Sequence, residues 1–235
     1  MTWNGTNSDW DINTTFNWKD SLSSPSVYKQ YGTTNIYGDV VTFDDTLSNP
    51  SQTSINLTTT LRPTVVNLSA ASTTYGFGGS GKLSGGSFLN VSGGATVTIS
   101  TANDYTGGST LSAGTVLVGN DAALGAGTVT LAGAVLASDS AAPRTLANAV
   151  SILADTTLGT GSSSGALTLA GPVYLGGIAH ELTLENNVAL TGPVSNGGIS
   201  KSGAGTLTLD NAGTVLSDTI WILSLIHISE PTRPY

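Results

Sequence analysis

The chain has 235 residues, with seven Lys or Arg against 15 Asp or Glu and a formal net charge of −8; only 9% of residues are charged, against ~25% in an average globular protein. So few cations exclude counterion-driven binding to nucleic acid, and the absence of cysteine excludes disulfides and thiolate metal sites. Abundant Val, Leu, Ile, Thr and Gly argue for a β-rich fold and against disorder, which needs low hydrophobicity and high charge.

No stretch approaches the ~18 apolar residues of a membrane helix. The opening "MTWNGTNSDW" lacks the basic and apolar regions of a signal peptide, so an exported form would carry its leader elsewhere. Residues 1–35 concentrate three of the four tryptophans, Trp3, Trp10 and Trp18, together with Phe16. An aromatic-rich start of this kind reads as a cap over an open hydrophobic end. The same tryptophans, if exposed, would offer flat apolar faces to sugar rings.

Residues 36–222 read differently. Apolar residues come as short runs, most of them alternating with Thr or Asn: Val41-Thr42-Phe43, Ile55-Asn56-Leu57, Val97-Thr98-Ile99, Val116-Leu117-Val118, Val129-Thr130-Leu131, Leu167-Thr168-Leu169 and Leu207-Thr208-Leu209. A period of two marks strands with one buried face, and Gly, Asn, Asp or Ser follows each run as a turn. Strands this short do not stand alone.

The phrase repeats. "GALTLAGPVYLGG" (165–177) aligns with "NNVALTGPVSNGG" (186–198) at an offset of 21 residues, matching Leu167 to Val188, Leu169 to Leu190 and Gly171-Pro172-Val173 to Gly192-Pro193-Val194. The same frame sets Gly176-Gly177 on Gly197-Gly198. A period near twenty residues with two or three short strands is one coil of a β-solenoid. The expected fold is therefore all-β: a single-stranded parallel β-helix with an aromatic-rich N-terminal cap. It should have on the order of nine coils and a length of roughly 40 Å. Pro172 and Pro193 fall at matching corners, where no ladder N–H is needed.

Few residues point to chemistry. "GFGGSGK" (76–82) nearly matches a phosphate-binding loop, but Leu83 stands where the magnesium-binding hydroxyl belongs and no helix is expected to follow. Asp39, Asp44 and Asp45 form the densest acidic cluster, read either as a calcium site or, more simply, as solvated carboxylates at a strand end. Parallel β-helices also serve as carbohydrate-active enzymes, which need paired carboxylates or a base with charge neutralisation. Over 91–215 the cationic or imidazole candidates are Arg144, Lys201 and His180. The acids there are Asp104, Asp121, Asp139, Asp155, Glu181, Glu185 and Asp210, mostly single residues in turns. His180-Glu181 is the adjacent acid–base pair, but neighbours on a strand face opposite ways, so His180 reads as a lone surface histidine. No catalytic, cofactor-binding or metal residue is assigned.

"NDYTGGSTLSAGTVLVGNDAALGAGTVTLAG" (103–133) and "KSGAGTLTL" (201–209) resemble the autotransporter-associated β-strand repeat, also called the passenger-associated transport repeat. The motif carried over is Asn103, Tyr105, Thr106, Gly107 and Gly108, then Ala113, Gly114, Thr115 and Val116. "TWNG" and "GDVVTFDDT" (38–46) are similar to the start of large bacterial surface proteins built from such repeats. The resemblance implies a non-catalytic, exported passenger at the bacterial outer surface, a stalk or adhesin-like scaffold without a cofactor. Its implied partners are glycans or proteins of host or environmental surfaces, and its outer-membrane translocator lies outside this sequence. A carbohydrate-active β-helix enzyme and a sugar-binding module are the alternatives.

From Leu223 the composition changes. "LSLIHISEPTRPY" (223–235) has no Gly and no place in the 21-residue frame, and it resembles a translated sequencing adapter. The expected division is thus 1–35 cap, 36–222 solenoid and 223–235 non-native tail.

Overall fold

The computed structural model describes residues 1–31, 38–218 and 220–222. It is a parallel β-solenoid of about nine turns. The alternation seen in the sequence sets each strand's two faces. In Thr115–Val118, Val116 and Val118 are buried while Thr115 and Leu117 are half-exposed; Val65–Leu68 and Thr96–Ile99 repeat the pattern. Each short strand satisfies its backbone groups on the coils before and after it.

Each coil contributes a strand to each of two long sheets and a third segment that closes the turn. Sheet I runs from Val194–Ser195 down to Val41–Phe43 and Thr2–Trp3, then adds two strands, Trp18–Lys19 and Pro25–Ser26, in antiparallel pairing. Sheet II has ten strands, all parallel, from Asp9–Trp10 to Ile220–Ile222. The third face is strand over Thr60–Leu61 and Lys82–Leu83, and again over Arg144–Leu146, Leu167–Leu169, Val188–Leu190 and Leu207–Leu209.

The register matches the repeat at Leu167–Val188, Leu169–Leu190 and Val173–Val194. At Gly171 and Gly192 the coils touch closely. A Cβ on Gly192 would lie 2.0 Å from the Gly171 carbonyl oxygen, so no side chain fits there. Pro172 and Pro193 immediately precede their strands, where a missing N–H costs nothing to the ladder, and their carbonyls accept from the Val150 and Val173 amides at 2.8 and 2.9 Å.

Past Tyr174–Ser195 the frame slips: Ala179 pairs with Gly198, 19 residues on, not 21. Gly176 and Gly177, at φ 65° and 91°, carry the longer corner of the earlier coil, and the later coil turns on Asn196 at φ 58°. The Gly176-Gly177 and Gly197-Gly198 match is therefore a likeness of composition, not of position.

The N-terminal aromatics plug the core. Trp3, Trp10 and Trp18 are fully buried, with Trp18 edge-on to Trp3 at 5.1 Å and to Trp10 at 5.2 Å. Phe43 from the next coil meets all three at 5.5–5.6 Å and hands the cluster on to Phe77 at 5.0 Å. These tilted and edge-to-face contacts suit the ring quadrupoles. Phe16 lies outside the plug and is exposed. Thr2–Trp3 and Asp9–Trp10 pair in parallel with Val41–Phe43 and Ser54–Leu57, so both sheets run on into residues 1–35. The 223–235 segment lies outside the described residues.

Candidate functional site

The phosphate-loop likeness dissolves in the backbone. Residues 76–82 run from strand Tyr75–Gly78 through a turn into strand Lys82–Leu83, with no helix to receive a phosphate. The Lys82 Nζ sits 2.5 Å from Asp104 Oδ2. Burial raises the Asp104 pKa, but hydrogen bonds from Lys82 and Ser84 and the Lys82 charge outweigh it and leave the carboxyl below its ordinary range.

The acidic trio is dispersed onto backbone amides. Asp39 accepts from Lys29 N at 2.7 Å, and Asp44 from Thr46 N at 2.8 Å. Asp45 accepts from the Ala71, Ser72 and Thr73 amides of the next coil, at 2.7, 3.2 and 2.8 Å. Hydrogen bonds from Thr73, Ala71 and Ser72 hold its carboxyl far below the usual range. Among the described residues, no three His, Asp or Glu side chains are placed to share a metal ion.

The single acids further along behave as brackets between coils. Asp121 accepts from Thr145 N at 3.0 Å and Asp155 from Glu181 N at 2.8 Å, while Asp139 pairs with Arg144 at 2.9 Å across its own corner and Arg144 Nε donates to Val118 O of the coil before at 3.2 Å. Asparagines, three of them buried and Asn186 half-buried, do the same work and were not legible as such in the sequence. Asn103 accepts from Leu83 N at 2.8 Å in the coil before it and donates to Ala123 O at 2.7 Å in the coil after it. Asn148 donates to Gly127 O at 2.7 Å; Asn186 accepts from Gly161 N at 3.0 Å and donates to Ser164 O at 2.7 Å. Asn17 takes the amides of Thr6 and Asn7, both at 2.9 Å, inside the cap. Position was the available signal: Asn17, Asn148 and Asn186 each fall within two residues of a strand's start. Beside Asn103, the Tyr105 ring is buried and its hydroxyl meets Ser109 Oγ at 2.7 Å.

His180 is a correction. It is 3% exposed, pointing into the solenoid, not a surface residue. Its strand, Ala179–Leu184, continues the inward alternation through Leu182 and Leu184, which places position 180 in the core column. Nδ1 lies 3.9 Å from Asp155 Oδ1, and Nε2 has no hydrogen-bond partner in the protein. Glu181 faces outward, as strand alternation requires, so the adjacent acid and base are parted by the sheet. Lys201 is also inward at 2% exposure, its Nζ donating to Gly203 O at 2.9 Å and Ser202 O at 3.3 Å. Two of the three cationic or imidazole candidates are thus withdrawn from the surface.

Two places on the outer face of sheet II remain. One is a shallow hollow of about 400 Å³ over Gly76 and Gly78, rimmed by Ser8, Ser54, Asn56 and Ser100. The other, at the far end, joins Asp155 and Glu181 to Ser200 and Trp221 in one outward column, with Trp221 60% exposed. The three N-terminal tryptophans are buried, so they offer no sugar platform.

The fold and the placement of its polar groups define a parallel β-helix in which turn acids and asparagines such as Asp45, Asp121, Asn103 and Asn148 bind the backbone of neighbouring coils. Comparison with protein-family models, curated proteins and solved structures finds no match in any of the three.

Proposed function

We propose that the chain is a non-catalytic segment of an exported bacterial surface protein, a stiff stalk or adhesin-like scaffold. What supports this reading is the use of its polar residues. Asp45, Asp121, Asp155, Asn103, Asn148 and Asn186 each bind backbone groups of a neighbouring coil or turn, fixing coil to coil instead of converging on a cleft. The likeness of 103–133 to passenger repeats supports export and a cell-surface location. Stacking from a capped N-terminal end also suits passage through a narrow pore, because each coil is stabilised by the one next to it.

The test is display. The chain is placed between a secretion leader and an outer-membrane barrel in a Gram-negative host, with an epitope at Met1. The reading expects the epitope on intact cells and a protease-resistant core after digestion. An epitope reached only after lysis, in a chain that protease clears completely, refutes it. Release of reducing ends from a polysaccharide by the purified chain refutes the non-catalytic part.

A further inference from the structure

The outward column at the C-terminal end of sheet II has a composition found nowhere else on the described surface. Register sets Glu181 opposite Ser200, and Ser200 opposite Trp221. Asp155 joins the column through the Glu181 amide. In the adjoining outward column, Ser202 Oγ donates to Glu181 Oε1 at 2.6 Å and meets Thr183 Oγ1 at 3.1 Å. The strip therefore holds a solvent-facing indole, two carboxylates and a row of hydroxyls. Lys201, which alternates with Ser200 and Ser202, is turned inward and puts no cation there.

We propose that this strip binds a neutral oligosaccharide, the Trp221 indole stacking on the apolar face of a pyranose ring while Glu181 and Asp155 accept from its hydroxyls. An exposed indole beside carboxylate and hydroxyl acceptors fits a ligand that is apolar on its faces and hydroxylated at its rim. A protein partner would need roughly 800 Å² of complementary surface on this side, far more than a strip one or two side chains wide presents. The carboxylates and the net charge of −8 disfavour anionic sugars. Spacing supports the geometry. Three rung steps from Asp155 to Trp221 span ~14 Å, and each ~4.8 Å step is close to the length of one extended pyranose unit. Trp221 faces sideways from the stack, so coils added along the solenoid axis leave it accessible.

This goes beyond the scaffold reading and is tested apart from it. The full chain is titrated with cellohexaose, chitohexaose and mannohexaose, and with hexagalacturonate as the anionic comparison. The readouts are calorimetry and acrylamide quenching of tryptophan fluorescence; Trp3, Trp10 and Trp18 are buried, so quenching reports mainly on Trp221. At least one neutral hexaose is expected to bind and shield Trp221, with hexagalacturonate about tenfold weaker. Trp221→Ala is expected to weaken binding about tenfold, the size of one lost stacking contact. Glu181→Gln keeps the side-chain shape and is expected to weaken binding severalfold with an unchanged circular dichroism spectrum. Phe16→Ala, at the opposite end, is expected to leave binding unaltered. Failure of every neutral hexaose to shield Trp221, or full-strength binding by Trp221→Ala, overturns the proposal. Tighter binding of hexagalacturonate overturns its neutral-ligand part. None of these outcomes touches surface display, so the two readings fail separately.

Discussion

Asn103→Ala probes how the coils are held together. The side chain is 4% exposed and bridges three successive coils, accepting from Leu83 N at 2.8 Å and donating to Ala123 O at 2.7 Å. It also accepts from Thr101 Oγ1 at 3.0 Å. Alanine leaves a buried amide and a buried carbonyl without these partners. Each orphaned group costs about 1–3 kcal/mol, and partial hydration of the gap recovers some of it, so the expected loss is about 3 kcal/mol. For a chain of this length that corresponds to a fall in Tm of ~6–12 °C. Asn120→Ala is the internal comparison. Asn120 is only half-buried and accepts only from Ala122 N, at 2.9 Å, within its own turn, so the expected loss is under ~1 kcal/mol. Because a solenoid's stability is nearly a sum of neighbour terms, amide exchange in Asn103→Ala should quicken first between the Leu83 and Ala123 coils. Differential scanning calorimetry with hydrogen exchange makes the measurement. Equal Tm values for the two variants would refute the idea that inter-coil asparagines carry the stack.

Alkali should act through the tyrosines. Burial pushes the Tyr28, Tyr75 and Tyr105 phenols well above their ordinary pKa of 10.0, with the Asp39 charge adding for Tyr28 and Asp44 and Asp45 for Tyr75. A raised folded-state pKa gives stability that is complete below the unfolded value and is lost as pH climbs above it, so the fold should weaken above about pH 10. Absorbance at alkaline pH should show these three of the seven tyrosines ionising only together with loss of the β spectrum; smooth titration of all seven on an intact fold would rule this out. His180→Leu should stabilise. It removes a buried Nε2 that has no protein partner, while the lost 3.9 Å contact is to an Asp155 carboxylate 74% exposed and worth little. The expected gain is ~1 kcal/mol, a rise of ~2–4 °C in Tm, and a lowered Tm would show that the imidazole supports the core.

The coil was legible because its cause is local. Val116 and Val118 are buried for the same reason that they alternate, and the match of 165–177 to 186–198 is itself a list of stacked neighbours down to Val173 and Val194. The tryptophan cap was legible too, since an open solenoid end demands apolar cover. What escaped was whatever depends on two coils at once. Corner lengths vary independently of strand positions, so a fixed 21-residue frame misplaces Gly198, which pairs with Ala179. The turn acids looked solitary because their partners, such as Thr145 N for Asp121 or Ala71 N for Asp45, lie a full coil away and are backbone groups that no sequence pattern names.

His180 and Lys201 expose the sharper limit. Their strands obey period two, and counting back from Leu182 puts His180 inward, while pairing with Leu182 puts Lys201 inward. Residue type argues for the surface, register for the interior, and register prevails. The reason is collective: turning either side chain outward would shift its strand by one residue and expel Leu182 and Leu184, or Ile199, from the core. Losing one such side chain from a core costs about 2–5 kcal/mol, more than the ~1–3 kcal/mol for one buried polar atom without a partner. In a stack whose strands are each pinned by neighbours on both sides, polarity at a single position has too little leverage to set the register. Trp221 follows the same period at the end of the sheet, where its strand has a neighbour on one side: Ile220 is in register with inward Ile199, and the indole one residue on falls on the solvent face.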